Sequence, residues 1–257
     1  MTDAVVLAGG SLELDRFPGV DSSIPCKAAI LLLGKPMVWW TVAALRACPA
    51  IGRIVVLGGP TLDSPDLRAL DLSILPEAGG IAATFKAGLD ALPDADRILG
   101  ISADVPLLTP EAVADLLERA PAADVVFPFC ERADIERDFP DRGWIFARTP
   151  DGEFTGCSAF VAKRAALLER WKWVEELLGA RRRSVLGLAM LVGPAFALKY
   201  VLHRLKVADI EDRMSRLLRV RAKGYRTKFT DLAMDVDKTS DIAFVEGILR
   251  NRGAGIG

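Results

Sequence analysis

The sequence is poor in the groups that do most side-chain chemistry. Its 257 residues include a single histidine, His203. A Ser-His-Asp or Cys-His hydrolase would have to use that residue. It stands among Tyr200, Arg204 and Lys206 in a segment that reads as a surface helix, so nucleophilic hydrolysis is not expected. The four cysteines, Cys26, Cys48, Cys130 and Cys157, are scattered and form no C-x-x-C pair. That excludes the common zinc spacings and reads as free thiols in a reducing compartment. No basic segment followed by an apolar run opens the chain, so no signal peptide is expected. The longest uncharged stretch, Val185 to Leu198, is interrupted by Gly187, Gly193 and Pro194. It falls short of the roughly 18–20 apolar residues a spanning helix needs. A cytoplasmic protein without a transmembrane segment is the expectation.

An excess of one charge is missing too. Lys and Arg number 33 against 34 Asp and Glu, a net charge of -1, and nucleic-acid binding needs a basic excess or a basic face. The basic clusters at Arg181-Arg182-Arg183 and between Arg213 and Arg226 read as solvated helix faces. No nucleic-acid partner is expected. The chain also lacks the Gly-Lys-Ser/Thr of a Walker A loop and has no G-x-G-x-x-G after its first strand-like run.

What is present is a rhythm. Asp3 to Ala8 is an apolar run stopped by Gly9-Gly10, the mark of a buried strand entering a tight loop. A polar, irregular stretch to Pro25 follows, then an apolar run from Lys27 to Leu33 stopped by Gly34-Lys35-Pro36. Helical spacing marks Met37 to Ala47, and strands are predicted at Arg53–Leu57, Asp96–Ser102 and Asp124–Pro128. Between them lie a helix over Ile81–Ala91 and one opening at Pro110, with Thr109 as its cap and Glu111 in its first turn. Strands alternating with helices give βαβ units, hence a three-layer α/β domain with a mostly parallel central sheet. Residues 163–221 turn helical and have no obvious place in such a sheet. They read as a helical insertion or lid on a single domain spanning 1–257. Strand-like pieces return at Tyr225–Phe229 and Ala233–Val236, and a last helix starts near Thr239.

In open α/β sheets, ligands bind at the carboxyl ends of the strands, and three features fall there. Gly9-Gly10 would let backbone approach a phosphate or base closely, although a plain tight turn gives the same residues. Lys27 could neutralise phosphate charge, or be an ordinary surface lysine. Asp104, in Ser102-Ala103-Asp104-Val105-Pro106, could offer an oxygen ligand to Mg²⁺, which favours one or two carboxylates plus substrate phosphates. Near the C-terminus Asp235-Val236-Asp237 gives a second carboxylate pair at strand spacing, both side chains on one face. That face could be solvent or could complete a metal site. The aromatics Trp39-Trp40, Trp171 and Trp173 read as core, and Cys157 as a packed small residue.

Taken in order, Leu7-Ala8-Gly9-Gly10, Lys27, Gly34-Lys35-Pro36-Met37, Asp104-Val105-Pro106-Leu107 and Asp235-Val236-Asp237-Lys238-Thr239-Ser240-Asp241 resemble the MobA-like nucleotidyltransferases. The resemblance runs from Ala4 to about Glu246 and is thin between Lys163 and Arg221. It implies the glycosyltransferase A-type, Rossmann-like fold shared by sugar-phosphate, isoprenoid-precursor and molybdenum-cofactor nucleotidyltransferases. It further implies transfer of a nucleoside monophosphate from a nucleoside triphosphate to a phosphorylated or hydroxyl small-molecule acceptor, with release of pyrophosphate.

By that resemblance Leu7, Ala8, Gly9, Gly10, Arg16 and Lys27 contact the nucleotide, joined by Gly79, Gly80 and Thr84 at a base-contacting turn. Lys27 and Asp104 are catalytic, Asp104 and Asp237 hold Mg²⁺ or Mn²⁺, and Thr155-Gly156-Cys157 meets the acceptor. Relatives place Arg-Met soon after the double glycine. Here Arg16 comes late and follows the acidic Glu13 and Asp15, which oppose a triphosphate. A catalytically silent nucleotide binder on the same fold is therefore the alternative. A metal-dependent glycosyltransferase is a weaker one, since its Asp-x-Asp would stand where this chain has Ser102-Ala103-Asp104. The base, the acceptor and a possible homodimer stay open.

Overall fold

The fold is seen in a computed structural model that describes residues 1–59, 62–183 and 193–253. Most of the uncharged stretch Val185–Leu198, and with it part of the 163–221 segment, lies outside the described residues, as does Pro60.

Strand β1 (Thr2–Leu7) ends at the double glycine and leads through a long loop to a 3-10 turn (Lys27–Ala29). A small hairpin of β2 (Leu31–Leu32) and β3 (Lys35–Pro36) delivers the chain into α1 (Met37–Ala47). Next come β4 (Ile51–Leu57), α2 (Pro65–Arg68), β5 (Ser73–Leu75) and α3 (Ile81–Asp90). Then follow β6 (Arg97–Ser102), α4 (Pro110–Arg119), β7 (Val125–Glu131) and α5 (Arg132–Asp138). The chain then makes β8 (Ala147–Thr149), β9 (Gly152–Gly156) and β10 (Ala159–Lys163). Helices α6 (Arg164–Glu169), α7 (Trp171–Arg183), α8 (Pro194–Val201) and α9 (Val207–Leu218) precede β11 (Ala222–Arg226) and the closing α10 (Thr239–Asn251).

Nine strands form one sheet in the order β5-β4-β1-β6-β10-β7-β9-β8, with β11 on the other edge of β7. Strands β1, β4, β5 and β6 run parallel, and β10 is antiparallel to both β6 and β7. Strand β11 is parallel to β7, and β9 is antiparallel to both β7 and β8. Only β9 and β10 therefore oppose the common direction, and the sheet is mixed but mostly parallel. The period-2 alternation of strand side chains splits β1 between two cores. Ala4 and Val6 face α1 and α4 through Val38, Val42, Val113 and Leu116. Val5 faces α3, α6 and α7 through Phe85, Leu89, Leu167 and Val174. Helices on both faces complete three layers.

Helix α4 starts as its sequence suggests: Pro110 sits in the first turn and the Thr109 hydroxyl accepts the Ala112 N–H at 3.3 Å. Three expectations need correction. Strand-like Ala233–Val236 is not a strand; it follows a 3-10 turn at Thr230–Leu232 and its apolar residues are buried in loop form. Tyr225–Phe229 is strand only to Arg226, and that strand begins at Ala222. The stretch 147–163, not assigned any strand in the sequence, forms three antiparallel ones. Among the described residues no helix is long and apolar enough to cross a membrane.

Candidate active site

The carboxyl ends of β1, β4 and β6 are stitched together by backbone. Ala8 N–H donates to Leu57 at 2.8 Å, Ala103 N–H to Leu7 at 3.0 Å, and Gly58 N–H to Leu75 at 2.9 Å. Leu7 to Gly10 and Ser102 to Asp104 therefore lie side by side at this end of the sheet. Gly10 has φ +93°, which L side chains rarely adopt. Gly9 leaves room for a side chain: a Cβ there would lie 2.4 Å from the Glu77 carboxyl carbon and would displace that carboxylate. The Glu77 carboxylate lies against the double glycine and accepts the Gly10 N–H at 3.0 Å.

Two residues on, Gly79 and Gly80 have φ +61° and +122° and turn the chain into α3. Thr84 is buried, and its hydroxyl accepts the Ala78 N–H at 3.0 Å, which closes the turn. No side chain caps α3 and its first turn holds no acid, so its leading N–H groups remain available to an anion.

Lys27 is carried inward by its 3-10 turn. Its ammonium lies between two carboxylates, ion-paired to Asp104 and to Asp237, the latter at 3.0 Å. Burial works against the lysine charge, yet Asp104 and then Asp237 offset it and lift the Lys27 pKa above its ordinary value. Asp104 is nearly buried, and its Oδ1 has no hydrogen-bond partner. One backbone bond, Val236 N–H to Asp104 O at 2.9 Å, brings the distant Asp237 loop alongside. Asp241, in the first turn of α10, holds that loop by accepting the Asp237 and Lys238 N–H groups at 2.9 and 3.1 Å. Arg142 is ion-paired to Asp241 in turn.

The expected pairing of Asp235 with Asp237 on one strand face does not hold, because no strand forms there. Asp235 turns inward, where Ser158 Oγ donates to it at 3.3 Å. Burial, then the charges of Asp237 and Asp104, push its carboxyl up to about 6.

The Arg16 carbonyl accepts the Thr239 N–H at 3.2 Å, beside the Asp237 loop, but its side chain forms no hydrogen bond or ion pair with Lys27, Asp104 or Asp237. That side chain is exposed and ion-paired to Glu13 at 2.9 Å. Thr155, Gly156 and Cys157 sit where β9 ends. Thr155 and Gly156 line a cavity of about 300 Å³ whose other walls include Arg142, Trp144, Asp235, Asp237 and Lys238. The Cys157 sulfur lies 3.7 Å from that of Cys130. The bond to Cys130, and then burial, hold the Cys157 thiol well above its ordinary pKa, so it is a poor nucleophile. Glu77 and Arg142 were not singled out in the sequence; each reaches the site by a contact between segments far apart in the chain, whereas Lys238 stands beside Asp237 in the Asp235-to-Asp241 motif.

A cation thus bridges two carboxylates, beside an orphaned carboxylate oxygen and a double glycine, at the carboxyl ends of parallel strands. Residues 4–219 match the family model described as the MobA-like NTP transferase domain. The chain belongs to that family. Among curated proteins it is 31% identical over 186 residues to a 2-C-methyl-D-erythritol 4-phosphate cytidylyltransferase of Thermosynechococcus vestitus, covering 63% of this chain and 78% of that one. Among solved structures, a hypothetical transferase from Thermus thermophilus superposes with a TM-score of 0.82 at 32% identity, covering 94% of this chain and 99% of that one. A 2-C-methyl-D-erythritol 4-phosphate cytidylyltransferase from the same species has a TM-score of 0.57 at 17% identity, covering 97% and 100%. That last likeness is one of fold. The family is one of nucleotidyltransferases, so the silent-binder and glycosyltransferase alternatives are not favoured.

Proposed function

We propose that this MobA-like protein transfers a nucleoside monophosphate from a nucleoside triphosphate to a small acceptor, with a divalent metal. The acceptor's phosphate or hydroxyl oxygen attacks the α-phosphorus in line, the bond to the β-phosphate oxygen breaks, and pyrophosphate leaves. No protein nucleophile takes part. Gly9 and Gly10 offer backbone to the nucleotide, the uncapped start of α3 offers further N–H groups, and Lys27 neutralises charge on the phosphates. The observation that carries this reading is the Lys27 ammonium held between Asp104 and Asp237.

The same pair fits Mg²⁺ or Mn²⁺. The orphaned Oδ1 of Asp104 is an unused hard ligand, and an ammonium already occupies the seat of a cation. Among the described residues no three His, Cys, Asp or Glu cluster tightly enough to hold a metal alone, so the ion would have to draw its remaining ligands from phosphates and water. When bound, it would supply charge neutralisation on the phosphates and the departing pyrophosphate. The cavity at Thr155 and Gly156 is the acceptor seat, with Arg142 and Lys238 as its cations. The free cysteines suit a reducing compartment, so we place the reaction in the cytoplasm.

Thermal unfolding with ATP, GTP, CTP and UTP, each with and without Mg²⁺, tests the reading. CTP comes first, since relatives are named cytidylyltransferases. A nucleotide at 100 times its dissociation constant adds about 2.7 kcal/mol, a shift of several degrees at this size. One base should stabilise strongly and only with metal, and Asp104→Ala should remove pyrophosphate release. Stabilisation by no nucleotide would end the transferase reading; a metal-independent shift with no turnover would restore the silent binder.

A further inference from the structure

A second cavity, of about 330 Å³, adjoins the proposed acceptor seat. Its floor is the sheet face carrying Phe127, Phe129 and Phe154, and its roof is the stripe Val207, Ile210 and Met214 of α9. These roof positions recur at helical spacing, so α9 turns its apolar face to the cavity. Small residues hold the space open: Ala147, Ala222, Gly156 and Gly224 all line it.

The few polar groups in the wall are already satisfied. Glu211 accepts from the Lys223 ammonium at 2.6 Å and from the Gly224 N–H at 2.9 Å. The Thr149 hydroxyl donates to Gly152 O at 2.9 Å. An apolar occupant would strand none of these bonds, whereas water finds few partners there. The size lies at the lower end of the range for small-molecule sites, about 300–1,000 Å³.

Thr155 and Gly156 belong to both cavities. A Cβ built at Gly156 meets nothing within 4 Å, so the glycine leaves open space where the two meet. The polar cavity, with Arg142, Lys238 and the carboxylates, and the apolar one thus lie on either side of a single strand end.

We propose that the apolar cavity is the tail pocket of the acceptor site, and that the acceptor is an amphiphile: a phosphorylated or hydroxylated head carrying an apolar chain. The head lies among Arg142, Lys238 and Asp235, and the chain passes Gly156 to lie between the phenylalanines and α9. This rests on the nucleotidyl-transfer reading for the meaning of the head site, but not for the existence of the tail pocket.

Calorimetric titration of the full chain with inorganic phosphate and with ethyl, butyl, hexyl and octyl phosphate tests it without turnover. Each methylene that enters the pocket should tighten binding about fourfold. Ile210→Trp, which fills the cavity, should flatten the series while leaving nucleotide stabilisation intact. Ile210→Asp should weaken the octyl ester selectively and spare phosphate.

Affinity independent of chain length, or a steep series unchanged in both variants, would overturn the proposal and leave the transferase reading untouched. A steep series with no nucleotide stabilisation would instead remove the transferase reading, and with it the acceptor assignment. Both variants must show the far-ultraviolet dichroism and cooperative melting of the parent. If Ile210→Trp does not, the Ile210→Asp series decides alone.

Discussion

At the scale of single residues the site is a balance of charges around Lys27. Asp104, Asp235 and Asp237 are mutually repulsive, and one ammonium holds them together in the absence of ligand. Glu77 adds a fourth carboxylate at the double glycine, where it occupies the Gly10 N–H. A phosphate bound at the Gly10 N–H would meet that like charge, and a unit charge pair at about 4 Å in water is worth roughly 1 kcal/mol. Glu77→Gln keeps the acceptor for Gly10 and removes the charge. It should tighten nucleotide binding about fivefold, and the gain should shrink at high salt. Weaker binding in Glu77→Gln, titrated at low and high salt, would mean that the carboxylate contacts the nucleotide as an acceptor. The sequence made Lys27, Asp104 and the Asp235–Asp237 segment legible because each follows an apolar run or a proline-bounded turn. Glu77 was not legible, since its partner lies 67 residues away and nothing local marks it. Arg16 was offered by the family resemblance, and its exposed side chain is ion-paired to Glu13.

At the scale of elements, the parallel strands β1, β4 and β6 were legible because both their faces are buried, which writes them as continuous apolar runs; the parallel β5, three half-exposed residues, was not. Strands β8 and β9 escaped because they are short, three and five residues, and partly exposed, so neither a run nor a clean alternation survives; β10 is a buried apolar run, Ala159 to Ala162, but only five residues long. Ala233–Val236 misled for the opposite reason: burial made it apolar, but only one ladder-like bond, from Val236 to Asp104, forms there. Gly100 shows what a strand glycine can signify. It pairs across the sheet with Phe160, and a Cβ at Gly100 would lie 2.4 Å from that ring. The ring is fixed in turn by Phe85 and Phe127, with centroids at 5.6 and 6.3 Å, so it cannot swing aside freely. Gly100→Ala should destabilise the protein by about 1–3 kcal/mol, overpacking outweighing the entropy gained over glycine. Phe160→Leu in the same chain should recover part of that loss, a coupling that denaturant melts of the double-mutant cycle would read. Additive losses would place the strain elsewhere.

At the scale of the whole molecule, stability and chemistry lie at opposite ends of the same strands. The entry end of β1 is anchored by Asp3, which is buried and accepts the Arg53 N–H at 2.8 Å and its guanidinium at 2.7 Å. The exit end opens at Ala8, about 17 Å away at strand rise. Sites so far apart with no shared partner act independently. Asp3→Ala breaks a charge-assisted bond, a loss of about 1–2 kcal/mol once the half-exposed arginine is discounted. The melting temperature should fall by about 3–6 °C, while nucleotide affinity with Mg²⁺ stays within about twofold. Asp104→Asn should do the reverse. It removes one charge paired with Lys27 but also a like charge beside Asp235, two effects that oppose, so the unliganded melting temperature should move little, and metal-dependent nucleotide stabilisation should vanish. Melting curves of the two variants, each with and without nucleotide and Mg²⁺, give the comparison directly. Should Asp3→Ala weaken nucleotide binding tenfold, the strands would be transmitting strain from one end to the other. The exit-end cluster would then have to be understood as part of the core rather than as a site placed upon it.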